Sequence, residues 1–119
     1  MKKVIGLVGL LSAFTIQAET FQRMPVLGLV PVENMYASFE VLTPKYDKVI
    51  LDCQSFVNGM TFYNNKKIVH EIKMVNYEDC SNVYNFISQS NQDKKPVCME
   101  IGEEGSALNL SNDEASACQ

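Results

Sequence analysis

The chain has 119 residues, with 14 acidic against 10 basic side chains, a formal charge of −4, no tryptophan and no basic run longer than two residues. That balance argues against nucleic-acid or anionic-lipid binding, which needs clustered Lys and Arg. With His70 as its one histidine, the chain has little material for Ser/His/Asp or Cys/His catalysis.

Residues 1–18 read as a secretory signal peptide. Lys2 and Lys3 form a positive start, Val4 to Ile16 is uncharged and mostly apolar, and Ala18 offers a small residue at the cut. The apolar run is short for a membrane span, and no cysteine follows it to carry a lipid. The Met1-Lys2-Lys3 opening has a bacterial style. Cleavage after Ala18 would leave Glu19 to Gln119, a single small domain whose formal charge moves from −4 to −6. The expected address is secreted or periplasmic, with no membrane span after cleavage.

Residues 19–34 read as an N-terminal arm. Met24 to Val32 is apolar but broken by Pro25, Gly28 and Pro31, which excludes a helix or a central strand and leaves an edge strand or a polyproline-like segment. It either lies across the core or stays exposed as a docking segment, with Met24, Val26, Leu27, Leu29 and Val30 as contact residues.

Residues 35–119 form the domain proper. Met35 to Val41 alternates, with Ala37, Phe39 and Val41 on one face. After a turn at Thr43–Asp47, the stretch Lys48–Phe56 is the densest run of β-formers, with Val49, Leu51 and Cys53 on one face. Asn58-Gly59 predicts a tight turn into a strand at Met60–Tyr63. Asn64-Asn65-Lys66 predicts the next turn, and Lys67–Val75 a strand with Ile68, His70, Ile72 and Met74 on one face.

The period then changes. Asn76 is an N-cap, Glu78 and Asp79 suit a first helical turn, and Tyr77, Cys80, Val83, Tyr84 and Ile87 make one apolar stripe to about Ser90. Asn91 to Lys95 is a polar loop, and its Asn91, Lys94 and Lys95 are candidate contact residues. Val97, Met99 and Ile101 share a strand face, a turn at Gly102–Gly105 leads to Ala107–Leu110, and a polar tail from Ser111 is tied down by Cys118. The fold class is α+β: an antiparallel sheet of five to six strands, one helix on one face, stabilised by disulfides.

Four cysteines in a small exported domain predict two disulfides. Face parity favours Cys53–Cys80 with Cys98–Cys118; the alternative is Cys80–Cys98 with Cys53–Cys118. Spacings of 27, 18 and 20 residues lack the close pairs of a zinc site. Glu103-Glu104 and Asp113-Glu114 lack calcium-loop spacing. No CxxC, phosphate loop or convergent catalytic set is visible, so no cofactor or metal is expected. Asn109-Leu110-Ser111 reads as a chance glycosylation match.

The expected function is a non-enzymatic protein-binding module, one form being an inhibitor of an envelope or host enzyme. The alternatives are a small secreted enzyme with a minimal site near His70, and an envelope protein that self-associates through strand edges.

Overall fold

The structure, a computed structural model, describes residues 21–102, 107–113 and 118. The expected signal peptide, the Glu103-Glu104 turn and most of the tail lie outside the described residues.

The strands form two antiparallel sheets where the sequence suggests one. The cause lies at residue 27. Strand β1 (Phe21–Val26) ends there and β2 (Gly28–Pro31) begins, so the arm contributes an edge strand to each sheet. Edge positions suit Pro25 and Pro31, which have no N–H to donate to a ladder. The larger sheet continues through β3 (Ser38–Leu42), β4 (Lys48–Cys53), β5 (Asn58–Asn64) and β6 (Lys67–Lys73), each beside its predecessor in sequence. The helix α1 (Tyr77–Gln92) follows. Strand β7 (Val97–Gly102) then pairs with β1 on one side and with β8 (Leu108–Ser111) on the other.

One apolar core joins the layers. Val41, Val49, Leu51, Met60, Phe62 and Ile72 from the larger sheet meet Cys80 and Ile87 of α1, and Met24, Val26, Val97, Met99 and Ile101 of the smaller sheet. Phe39 stacks on Tyr84 of the helix at 4.5 Å between ring centres. Tyr46 adds a link between the sheets: its hydroxyl donates to Gln22 Oε1 at 2.6 Å while its ring sits 5.0 Å from that of Phe62.

Three local expectations are corrected by the backbone. Strand β4 stops at Cys53, not Phe56, and the connection to β5 is the four residues Gln54–Val57, closed by a 2.9 Å bond from Gln54 N–H to the Val57 carbonyl. Asn58-Gly59 is therefore not a turn. Gly59 lies in the strand opposite Asp52 and Lys73, and a Cβ there would fall 2.3 Å from the Ile72 carbonyl oxygen. Glycine serves close backbone approach here, not a positive φ.

The second correction concerns β6. Phe62 pairs with His70 but Tyr63 pairs with Ile68, leaving Val69 as the extra residue of a bulge. The alternation slips by one, so Ile68 leaves the core face on which His70 and Ile72 remain. Ile68 and Val69 are both half-exposed. The third is Ala37, which has φ 61° and so belongs to the turn before β3 rather than to the strand.

The helix follows its expected logic. Asn76 Oδ1 accepts from the Asp79 N–H at 2.8 Å, and Glu78 and Asp79 occupy the first turn. At its other end Asp93 closes the last turn and Lys94 adopts a left-handed φ of 56°. Asn112 ties the chain after β8 to this end, donating to the Pro96 carbonyl at 2.8 Å and to Ser90 Oγ at 3.0 Å.

The disulfides are Cys53–Cys80 and Cys98–Cys118. The first joins the end of β4 to the first turn of α1. The second lies on the far face of the smaller sheet, beside Arg23, which pairs with Glu100 at 2.9 Å and with Asp113 at 3.1 Å.

Candidate functional site

Large apolar side chains left in water are informative when they are contiguous, because scattered ones are normal. Phe56 is 97% exposed, Tyr36 93% and Val75 88%, with Met35, Val57 and Tyr77 each more than half exposed. These residues come from two loops, residues 32–37 and 54–57, and from the 74–76 connection with the first residue of α1, all at the same end of the larger sheet.

Two surface hollows show that they adjoin. One, of about 280 Å³, is lined by Tyr36, Ala37, Phe39, Cys53, Tyr77 and Tyr84 among others. The second, of about 580 Å³, is lined by Phe56, Val57, Asn58, Lys73, Val75 and Tyr77 among others. Tyr77 belongs to both and makes the surface continuous.

The loops are held in place by the disulfide that face parity favours and by hydrogen bonds that the sequence pattern does not announce. The Cys53–Cys80 disulfide fixes the root of the 54–57 loop against the helix. The 32–37 loop is stitched by Met35 N–H to the Val32 carbonyl at 3.2 Å, and by Cys53 N–H to the Ala37 carbonyl at 3.0 Å. Just beneath, the buried Ser38 hydroxyl donates to the Asp52 carboxylate and accepts from Gln54 Nε2 at 3.4 Å. Met74 N–H donates to the Asn58 carbonyl at 3.0 Å and anchors the 74–76 connection. Asn58 Oδ1 is buried with no partner among the described residues, and Ser55, Lys73 and Asn76 add polar groups to the same hollow. Loop backbones held this way lose little additional freedom on binding.

The candidate contacts expected from sequence are dispersed by the fold. Met24 and Val26 point into the core, so neither is available to a partner. Their burial follows from pairing: β1 lies against β7, with Met24 opposite Met99 and Val26 opposite Val97. Leu29 packs partly against the core, whereas Leu27 and Val30 are exposed along the β2 edge. Asn91, Lys94 and Lys95 are exposed at the C-terminal end of α1. At about 1.5 Å per helical residue, that end lies roughly 20 Å from Tyr77.

His70 faces Phe62 edge-on, with ring centres 5.4 Å apart, and its Nε2 is buried without a hydrogen bond among the described residues. Among those residues no group of three or more His, Cys, Asp or Glu side chains is arranged to hold a metal, and no helix is long and apolar enough to cross a membrane.

No family model matches this chain, and no match is found among curated proteins or solved structures.

Proposed function

We propose that this protein is a non-enzymatic binding module, exported by its N-terminal segment, that engages a protein partner through the apolar end of its larger sheet. The observation that carries the reading is the continuous surface of Tyr36, Phe56, Val57, Val75 and Tyr77 around the Cys53–Cys80 disulfide. Aromatic anchors concentrate binding energy at protein interfaces because they bury a large area at the cost of few rotatable bonds. Inhibition of an envelope or host enzyme is one specific form, in which the protruding 54–57 loop would enter the partner's cleft.

The strand edges bear on the self-association alternative. Strand β6, a free edge of the larger sheet, carries Lys67, Glu71 and Lys73 and is bent by its bulge. Charge and bulging both discourage sheet-to-sheet addition. Strand β2, the other free edge, has four residues and ends in proline.

Photo-crosslinking tests the reading. A benzophenone side chain replacing Phe56 is expected to capture one discrete protein in the native host, and the same group replacing Asn91 is expected to capture none. Equal labelling from both positions, or none from Phe56, would refute it. A His70→Ala variant that folds but loses a measurable turnover would favour the enzyme alternative instead.

A further inference from the structure

We propose that the opposite end of the larger sheet, where two turns bring together Lys45, Lys48, Lys66 and Lys67, is a docking surface for an anionic lipid bilayer. It uses none of the residues assigned above to the protein partner. In sequence these lysines look like one short pair and two isolated residues, within an acidic chain. Folding assembles them.

The 43–47 turn and the 64–66 turn are bonded side by side. Asp47 N–H donates to the Tyr63 carbonyl at 3.1 Å and to Asn64 Oδ1 at 2.9 Å, and Asn65 N–H donates back to Asp47 Oδ2 at 2.8 Å. Asn65 and Lys66 both have positive φ, 55° and 66°, so β5 and β6 are joined by a two-residue hairpin loop with both residues left-handed. Lys48 stands opposite Tyr63, Lys67 opposite Asn64, and a hollow of about 530 Å³ between the turns is lined by Asp47, Lys48, Tyr63, Asn65 and Lys66.

The four lysines are exposed, and among the described residues only Arg23 forms ion pairs. Asp47 is the one carboxylate on the two turns, and it already accepts from Asn65. The cluster therefore keeps most of its positive charge for an outside ligand. The carboxylates at the disulfide end, Asp52 with Glu78 and Asp79 of the first helical turn, do not cancel it, and Glu40 and Glu71 lie partway along β3 and β6. At about 3.3 Å per residue, β4 separates this end from the disulfide end by roughly 17 Å, about two screening lengths at physiological salt.

What distinguishes a bilayer from a soluble polyanion is the apolar surface beside the charge. The bulge in β6 turns Ile68 and Val69 outward next to Lys67, both half-exposed, and Leu42 is partly exposed at the end of β3. Lysines flanking short apolar side chains match a membrane interface, with headgroup charge outside and acyl chains within reach.

The test is co-sedimentation of the oxidised protein, as recovered from an exporting bacterial host, with sucrose-loaded vesicles of phosphatidylglycerol and phosphatidylcholine or of phosphatidylcholine alone. Binding is expected to the anionic vesicles only, and to disappear in high salt. Each of Lys48→Gln, Lys66→Gln and Lys67→Gln should weaken it about fivefold, and the triple variant on the order of a hundredfold. The pair Lys94→Gln and Lys95→Gln should leave it unchanged. Ile68→Ser should weaken vesicle binding without altering binding to soluble polyphosphate. Equal sedimentation with both vesicle types, an unaffected triple variant, or binding to polyphosphate without binding to vesicles would overturn the proposal. Circular dichroism of each variant confirms that these exposed substitutions leave the fold intact.

Discussion

The two ends of the larger sheet solve the same problem, holding exposed loops in one conformation, by different means. The hairpin end joins its two turns to each other through Asp47, Asn64 and Asn65, and it exposes four lysines. The end at Cys53 has three large residues almost fully in water, Phe56, Tyr36 and Val75, and a disulfide ties the root of its central loop to the helix. Lysine-rich turns are stable in water without further support. A loop bearing Phe56 at its tip gains nothing from the solvent and, once loosened, would collapse onto itself. The covalent brace thus stands where the exposed apolar area is greatest.

Removing that brace should break the comparison most visibly. Replacing Cys53 and Cys80 together by alanine is expected to cost about 3–4 kcal/mol from the chain-entropy term alone for a separation of 27 residues. The Cys98–Cys118 bond spans 20 residues and has a similar entropic term, but it tethers a tail rather than joining sheet to helix. The first double variant should therefore unfold at lower denaturant than the second, because it also loses packing in the core. Equal midpoints in urea titration would show that the core does not depend on the Cys53–Cys80 join.

Next in size is Gly59→Ala. The added methyl meets the Ile72 carbonyl, a backbone atom that cannot swing aside, so a loss of about 2 kcal/mol is expected in the same titration. An unchanged midpoint would mean that β5 and β6 can separate at this point without penalty.

At the hairpin end the expected effect is smaller and opposite in sign. Lys66→Gly relieves a left-handed φ at a non-glycine residue and should raise stability by up to about 1 kcal/mol. A loss on this substitution would show that the Lys66 side chain makes contacts that outweigh its backbone strain.

Much of this architecture was legible in the residues. Asn76 with Asp79 marked the helix start, and of the predicted stripe Tyr77, Cys80, Val83, Tyr84 and Ile87 all but Tyr77, which is more than half exposed, face inward. The parity of Cys53 with Val49 and Leu51, set against that of Cys98 with Glu100, favoured the disulfide pairing that the structure contains. What escaped depends on contacts distant in sequence. Asn58-Gly59 looks like a turn in any local window, and only the approach of β6 explains its glycine. The bulge at Val69 is invisible to a period-two pattern, which carried Ile68 to the wrong face. The second sheet arises because β1 pairs with β7, more than seventy residues away.

The candidate site was the least legible part. Phe56 ends a β-rich run and reads as the end of a strand, whereas Tyr36, Val57, Val75 and Tyr77 sit outside it. No periodicity connects them. A signal was present in one form only: Ser55 and Asn58 flank Phe56-Val57, a polar bracket that suits a loop better than a strand. The arm Met24–Val32 is dense in apolar residues, but density inside a small chain more often marks core than contact surface.

Hydrogen exchange of the protein, free and bound to the partner captured through Phe56, tests the central claim most directly. Slower exchange is expected in residues 32–37, 54–57 and 74–77, with residues 91–95 unchanged. Protection confined to the C-terminal end of the helix or to the β2 edge would contradict the assignment of the disulfide-braced end as the binding surface.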